Sequence, residues 1–259
     1  MDPTIWQTPT AYAELSRALQ RRNAQLLATL ACQHNPAPMR ILDACCGTGS
    51  LLATLGDKAP GAHRVGIDVS PHMIAEARNR LYGEDCDLRV GDIMTHDEAA
   101  SYDLVISNAA LHWFSDNVEA TVKQLARLLV PGGVLAVATA GLCDDAVAFD
   151  HALHEVLTGE AGESPFSRRR VTVIELQRAA GRAGLQPIDL FALTRHEVVD
   201  SESFVDWLCA SGLDLGLGLS AHPRFVDAAK HRVRTRFGPL LRVGHWSSVG
   251  LFRNTAGVN

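Results

Sequence analysis

No stretch of this 259-residue chain approaches the ~18 consecutive apolar residues that a membrane-spanning helix needs. The longest, Val134 to Cys143, is interrupted by Thr139 and Gly141. The chain opens Met1-Asp-Pro-Thr, without the basic start and apolar run of an export signal, so no secretory signal is expected. Basic charge is not in excess: 24 Lys and Arg face 29 Asp and Glu, for a formal net charge of −5. Counterion release then gives little affinity for a polyanion, which argues against a sequence-independent nucleic-acid binder. The six cysteines, at 32, 45, 46, 86, 143 and 209, contain no CxxC pair and no Cys/His set at zinc-ligand spacing. Adjacent Cys45 and Cys46 suit neither an unstrained disulfide nor a chelate, and no motif around any cysteine would activate a thiolate. Reduced thiols in a cytoplasmic protein without a metal are the expectation. Internal repeats and low-complexity tracts are missing too. What remains is a soluble globular protein, large enough to bury roughly 70% of the surface of its unfolded chain.

The apolar residues that are present recur with two periods. Ala11 to Cys32 carries them at helical spacing, and Asn35-Pro-Ala-Pro38 ends that helix. Short apolar runs then alternate with helical stretches: strands at Arg40–Ala44, Arg64–Ile67, Asp87–Val90, Tyr102–Ser107 and Val134–Ala138, and helices from Gly49, over Pro71–Tyr82 and over 117–129. A turn at Pro131-Gly132-Gly133 leads into the fifth strand. Continuous apolar strands alternating with helices predict a parallel sheet covered on both faces. Beyond Gly141 the pattern predicts helices at Asp144–Leu157, Thr172–Ala183, Ser201–Ala210 and Pro223–Phe237, and strands at Pro187–Val198 and Gly244–Phe252. No composition break marks a linker. The chain reads as a single α/β domain over 1–259. Residues 1–140 hold the first helix and a ligand-binding core; 141–259 shape a helical lid and substrate wall.

The strongest local signal is Asp43-Ala44-Cys45-Cys46-Gly47-Thr48-Gly49-Ser50, directly after a strand and opening a helix. Its glycines let the backbone turn tightly and approach a ligand, and the helix start offers free N–H groups. Nineteen residues past Gly49, Asp68 ends the second strand, where a carboxylate can accept from both hydroxyls of a ribose. Dinucleotide enzymes carry G-x-G-x-x-G there, but the third position is Leu52. Asp43, at a strand tip, suits a ligand ammonium better than a phosphate. A ribose with an amino-acid tail is S-adenosylmethionine. Met73 is placed to lie on an adenine face, Asp92 to accept from its amino group, and Asn108, with His112-Trp113-Phe114 after it, to stand where the reacting methyl would be. A nicotinamide-dependent oxidoreductase is the competing enzyme class. A cofactor-binding scaffold without catalysis is the competing non-enzyme.

These features, in this order, resemble the class I S-adenosylmethionine-dependent methyltransferases. Within that class the chain is similar to the trans-aconitate and malonyl-carrier-protein methyltransferases. The matching stretches are Leu42-Asp-Ala-Cys-Cys-Gly-Thr-Gly49, Gly66-Ile-Asp-Val-Ser-Pro-His-Met73, Gly91-Asp-Ile93, Ser107-Asn-Ala-Ala-Leu-His-Trp113 and Leu129-Val-Pro-Gly-Gly-Val-Leu-Ala-Val137. The resemblance implies a Rossmann-like sheet of seven strands, the last antiparallel. It implies that Asp43, Gly47 and Gly49 face the cofactor's amino-acid tail, Asp68 its ribose, and Met73, Asp92 and Ile93 its adenine. Ala44, Cys45, Val69, Gly91 and Asn108 complete that cofactor set. Cys45 departs from the glycine or other small residue usual in relatives.

Tyr12, on the first helix, is a candidate to close over the cofactor and touch substrate, as Trp113 is to wall the substrate. His112 is the candidate substrate contact and general base. Its bland alternative is a packed core histidine. The Arg168-Arg169-Arg170 run reads first as a solvated face, and second as an attractor for an anionic substrate. The expected acceptor is a small molecule, free or carrier-bound, methylated on a carboxylate or hydroxyl oxygen. Methylation at nitrogen or carbon is the alternative. Nucleic acid and membrane are not expected partners, no metal is needed, and monomer and homodimer both stay open.

Overall fold

The computed structural model describes residues 9–161, 164, 166–210 and 223–256, and the side chains of 9–20, Arg168, Ala210 and Pro223 lie outside that description. Strands β1 (Arg40–Ala44), β2 (His63–Asp68), β3 (Cys86–Val90), β4 (Tyr102–Asn108) and β5 (Leu129–Ala140) pair in parallel. Strands β6 (Leu185–Asp200) and β7 (Leu240–Asn254) complete a seven-stranded sheet of order β3-β2-β1-β4-β5-β7-β6. Strand β7 runs antiparallel to both neighbours, as the resemblance implies.

Each central strand is apolar on both faces because helices cover both. Ile41, Leu104, Ile106 and Val134 pack one face together with residues of α1 (Pro9–His34) and α2 (Ser50–Lys58). Their neighbours Leu42, Val105 and Leu135 pack the other, with residues of α4 (Val118–Arg127) and α6 (Val173–Arg182). Helix α3 (Pro71–Arg80) starts where Pro71 takes the first helical position and Ser70 accepts from the Met73 amide at 3.3 Å. Helix α6 starts with a reciprocal pair: Thr172 Oγ1 accepts from the Glu175 amide at 3.0 Å, and Glu175 accepts from the Thr172 amide at 2.7 Å.

Two features differ from the sequence reading. Pro131-Gly132-Gly133 does not precede β5 but lies within it as a bulge, because Leu129 pairs with Tyr102 while Val134 pairs with Leu104. Strands β6 and β7 are also longer than predicted. They stay paired from Leu185–Asn254 out to Asp200–Leu240, whereas β5 pairs with β7 only over Ser247 to Arg253. Their outer halves therefore leave the sheet as a two-stranded ribbon. Helices α5 (Asp144–Thr158), α7 (Ser201–Ala210) and α8 (Pro223–Phe237) pack with it around a separate core that includes Leu153, Phe204, Val205, Val233 and Val243.

The strand order reverses between β1 and β4: from β1 the chain proceeds outward through β2 and β3, from β4 through β5. Loops leaving the carboxyl ends of β1 and β4 diverge to opposite sides and open a crevice there. No helix among the described residues is long and apolar enough to cross a membrane.

Candidate cofactor and substrate site

A cavity of about 820 Å³ occupies that crevice. Asp43 and Cys45 at the tip of β1, Gly47, Asp68 and Val69 at the tip of β2, and Met73 line it, with Gly91, Asp92 and Ile93 after β3 and Asn108 after β4. Trp113 and Phe114 reach it from the turn that follows β4. Two predicted residues do not line it. Ala44 is 1% exposed and belongs to the core, its carbonyl accepting from Ser107 Oγ at 2.9 Å. Gly49 serves packing: a Cβ there would stand 2.9 Å from Leu81 Cδ1 and 3.2 Å from Ala77 Cβ, and its φ of +76° favours glycine. The Tyr12 side chain lies outside the described residues.

Asp68 is fixed by backbone. Its Oδ2 accepts from the Gly47 amide and its Oδ1 from the Ser70 amide, each at 2.9 Å. Burial pushes its pKa up, and the two N–H groups oppose that shift. Each oxygen keeps a second lone pair able to accept from a hydroxyl. Asp43 is 1% exposed and its Oδ2 has no partner among the described residues. Burial, with Asp68 adding to it, holds its pKa well above the carboxylate range. A buried carboxylate oxygen without a donor is costly unless a ligand supplies one, and a cation supplies it best. Asn108 Oδ1 is likewise buried and without a partner among the described residues. Asp92 caps the turn after β3 by accepting from the Met94 amide at 2.9 Å, and it lines the cavity. Cys45, at φ +63°, and Ala109, at φ +56°, hold left-handed conformations that favour glycine. Arg21 and Gln25 of α1 and Ala109 also line the cavity. Sequence reasoning missed them because helical periodicity marks only the face α1 buries on the sheet.

A second cavity of about 170 Å³ adjoins the first, sharing Asn108, Ala109 and Trp113 as lining residues. His112 lines it. Its amide donates to Thr139 Oγ1 at 3.0 Å, and its Nδ1 lies 3.4 Å from the same hydroxyl. Burial first, then the guanidiniums of Arg169 and Arg170, push its pKa down to about 3. Arg169 and Arg170 are not a solvated face, and the Arg168 side chain lies outside the described residues. Arg170 forms a bidentate pair with buried Asp150, at 2.6 and 2.7 Å. Arg169 lies 4.7 Å over the Trp113 ring, lines the second cavity, and forms no ion pair among the described residues. Burial lowers its pKa, with Asp116 opposing. Trp246, 9% exposed, and His245 also line this cavity, and Trp246 Nε1 and His245 Nε2 are buried without partners among the described residues.

Comparison with known proteins agrees with this geometry. Residues 41–133 match a family described as a methyltransferase domain. The trans-aconitate 2-methyltransferase of Shigella flexneri serotype 5b is 30% identical over 207 residues, 79% of this chain and 78% of that one. The trans-aconitate 2-methyltransferase of Escherichia coli strain K12 is similar to the same extent. Among solved structures, a putative methyltransferase of Bacillus halodurans superposes with a TM-score of 0.61 at 17% identity, over 90% of this chain and 99% of that one. The YcgJ protein of Bacillus subtilis gives 0.62 at 16%, over 91% and 100%. The chain belongs to the class I S-adenosylmethionine-dependent methyltransferases. It is an enzyme, and its cofactor is S-adenosylmethionine. The residues present fit that group: two oxygens without partners among the described residues, of Asp43 and Asn108, line a cavity that Gly47 leaves open, with no atom of the described residues within 4 Å of where its Cβ would stand.

Proposed function

We propose that this enzyme methylates a carboxylate oxygen of a small molecule bound in the second cavity. One observation carries the reading: Arg169 presents a guanidinium without a carboxylate partner, among the described residues, beside the wall the two cavities share. A cation held in a half-buried wall favours an anionic acceptor. The curated relatives named above act on trans-aconitate, itself a carboxylic acid.

S-adenosylmethionine supplies a methyl carbon on a sulfonium leaving group. The chain's own residues bind and orient. Asp43 takes the ammonium of the amino-acid tail and Asp68 the ribose hydroxyls, while Met73, Asp92 and Ile93 border the adenine. Asn108 and Trp113 stand at the boundary, and His112 contacts the acceptor. The packed wall excludes water and holds the acceptor oxygen for an in-line approach. A carboxylate is already ionised near neutrality, so it needs no base. His112, with its pKa near 3, is neutral and a weak base. That suits a carboxylate better than an alcohol or amine, each of which must lose a proton.

The test offers matched acids, alcohols and amines of one carbon skeleton with S-adenosylmethionine, and reads S-adenosylhomocysteine release and product mass. A base-labile methyl ester from the acid is the expected result. Methylation confined to the alcohol or amine would overturn the reading. Asp68→Ala should weaken cofactor binding by about tenfold or more in calorimetry, the loss of charge-assisted bonds to a ribose.

A further inference from the structure

Resting on the carboxylate reading, we infer that the acceptor is a monocarboxylic acid with an apolar body about the size of a benzene ring, and that Arg169 is the residue that selects it. The second cavity has two unlike ends. Where it meets the cofactor cavity stand Asn108, Trp113 and Arg169, whose guanidinium lies over the Trp113 ring. Away from that boundary, the ribbon and its helices supply Phe149, Leu153, Phe204 and Val243, some of them from the separate apolar core. The volume, about 170 Å³, is close to that of an apolar cavity that holds benzene, ~150 Å³.

The charge count limits the acceptor to one anion. Arg170 also lines this cavity, but Asp150 already neutralises it. His112 and His245 are both held neutral, their pKa values pushed down to about 3 and about 4 by burial and by neighbouring arginines. That leaves Arg169 as the single unpaired cation among the described residues of this wall. A second or third carboxylate would be desolvated against phenylalanine and leucine with no partner, which selects against a polycarboxylate. Trp246 Nε1, in a side chain 9% exposed that lines this cavity, is a buried donor with no acceptor among the described residues. A carboxylate oxygen is such an acceptor.

In the transfer, a carboxylate oxygen forms the new O–CH3 bond as the methyl–sulfur bond breaks, its electron pair staying on sulfur. No proton moves. The anion becomes a neutral ester and the sulfonium a thioether, so Arg169 loses its counterion and its grip on the product.

The full-length protein is assayed with S-adenosylmethionine on octanoate and phenylacetate, on trans-aconitate, and on octanol and octylamine. The expected result is a kcat/KM for the better monoacid about tenfold or more above that for trans-aconitate. Arg169→Leu should raise the monoacid KM by about tenfold or more, the loss of a charge-assisted pair, and Arg169→Lys should recover part of it. The calorimetric Kd for S-adenosylhomocysteine should stay within about twofold in both variants, which also reports that they fold. Trp246→Phe, which keeps the ring shape, should raise the same KM several-fold. Faster turnover of trans-aconitate than of either monoacid overturns this inference and leaves the carboxylate reading standing. Turnover of octanol or octylamine alone overturns both. An unchanged monoacid KM in Arg169→Leu overturns the role of Arg169. Should no acid be turned over, absence of any thermal shift by octanoate on the S-adenosylhomocysteine complex overturns the inference.

Discussion

At the scale of one residue, Asp43 carries a burial cost that the proposed ammonium contact would offset. Its side chain is 1% exposed, one oxygen has no donor among the described residues, and Asp68 adds repulsion. An acid whose folded pKa lies above its unfolded value binds more protons in the folded state. Its contribution to stability therefore falls as pH rises from about 4 through the raised pKa. A bound ammonium reverses this. Asp43→Asn should stabilise the cofactor-free protein, by about 1–2 kcal/mol above neutrality, or a few degrees in Tm for a chain of this size. The gain should shrink toward pH 4, and cofactor affinity should drop by about tenfold or more. Thermal melts across pH and calorimetry at pH 7.5 check both signs. A destabilised cofactor-free variant would show that Asp43 has a partner inside the protein.

At the scale of elements, the two-stranded ribbon is the point of interest. Parallel strands β1 to β5 and their helices form the cofactor cavity, while α5, α7, α8 and the outer halves of β6 and β7 build their own core. The two units meet at the wall of the smaller cavity. Phe204→Ala removes a 3%-exposed aromatic from that separate core, at a cost of about 3–5 kcal/mol. The loss should stay mainly local, because Phe204 belongs to an apolar core separate from the two that pack the faces of the sheet. Acceptor KM should rise sharply while the Kd for S-adenosylhomocysteine stays nearly constant. Hydrogen exchange should show α7 and α8 opening well before β1 and β4. Equal loss of cofactor binding would mean that the units unfold as one.

At the scale of the whole molecule, pH couples to fold through two imidazoles. His112 and His245 take up protons in the unfolded chain below about pH 6.5, but in the folded protein only near pH 3 and pH 4. The unfolded state thus binds more protons across that window, and stability falls as pH falls from about 6.5 toward 4. Asp43 acts with the opposite sign. Denaturant titrations at pH 7 and pH 5 should show the loss, and a His112→Gln, His245→Gln variant should lose less. Because His112 stays neutral above pH 5, the methylation rate should show no inflection near 6.5 from this residue. An inflection there that His112→Gln abolishes would restore a general base.

Much of this was legible before any coordinates. Strand tips Asp43, Asp68 and Asn108 could be found because continuous apolar runs bounded by Gly, Asp and Pro mark buried parallel strands, and parallel topology brings their carboxyl ends together. The period-2 and period-3.6 patterns determined the sheet, its helices and hence the cofactor crevice, since these depend on near neighbours in the chain. Local pattern could not tell that Gly49 serves packing and Gly47 the cavity, for that turns on Ala77 of α3 and Leu81 just after it coming within reach. Nor could it separate Arg169 from Arg170. Which of two adjacent arginines is neutralised depends on Asp150, twenty residues away on α5. The length of the ribbon came from pairing between β6 and β7 across two intervening helices. The lining of the larger cavity was written in the sequence because it lies on consecutive strand ends. The lining of the smaller cavity was decided by the tertiary structure, because its charges and rings come from distant segments and only packing determines which of them remain unpaired.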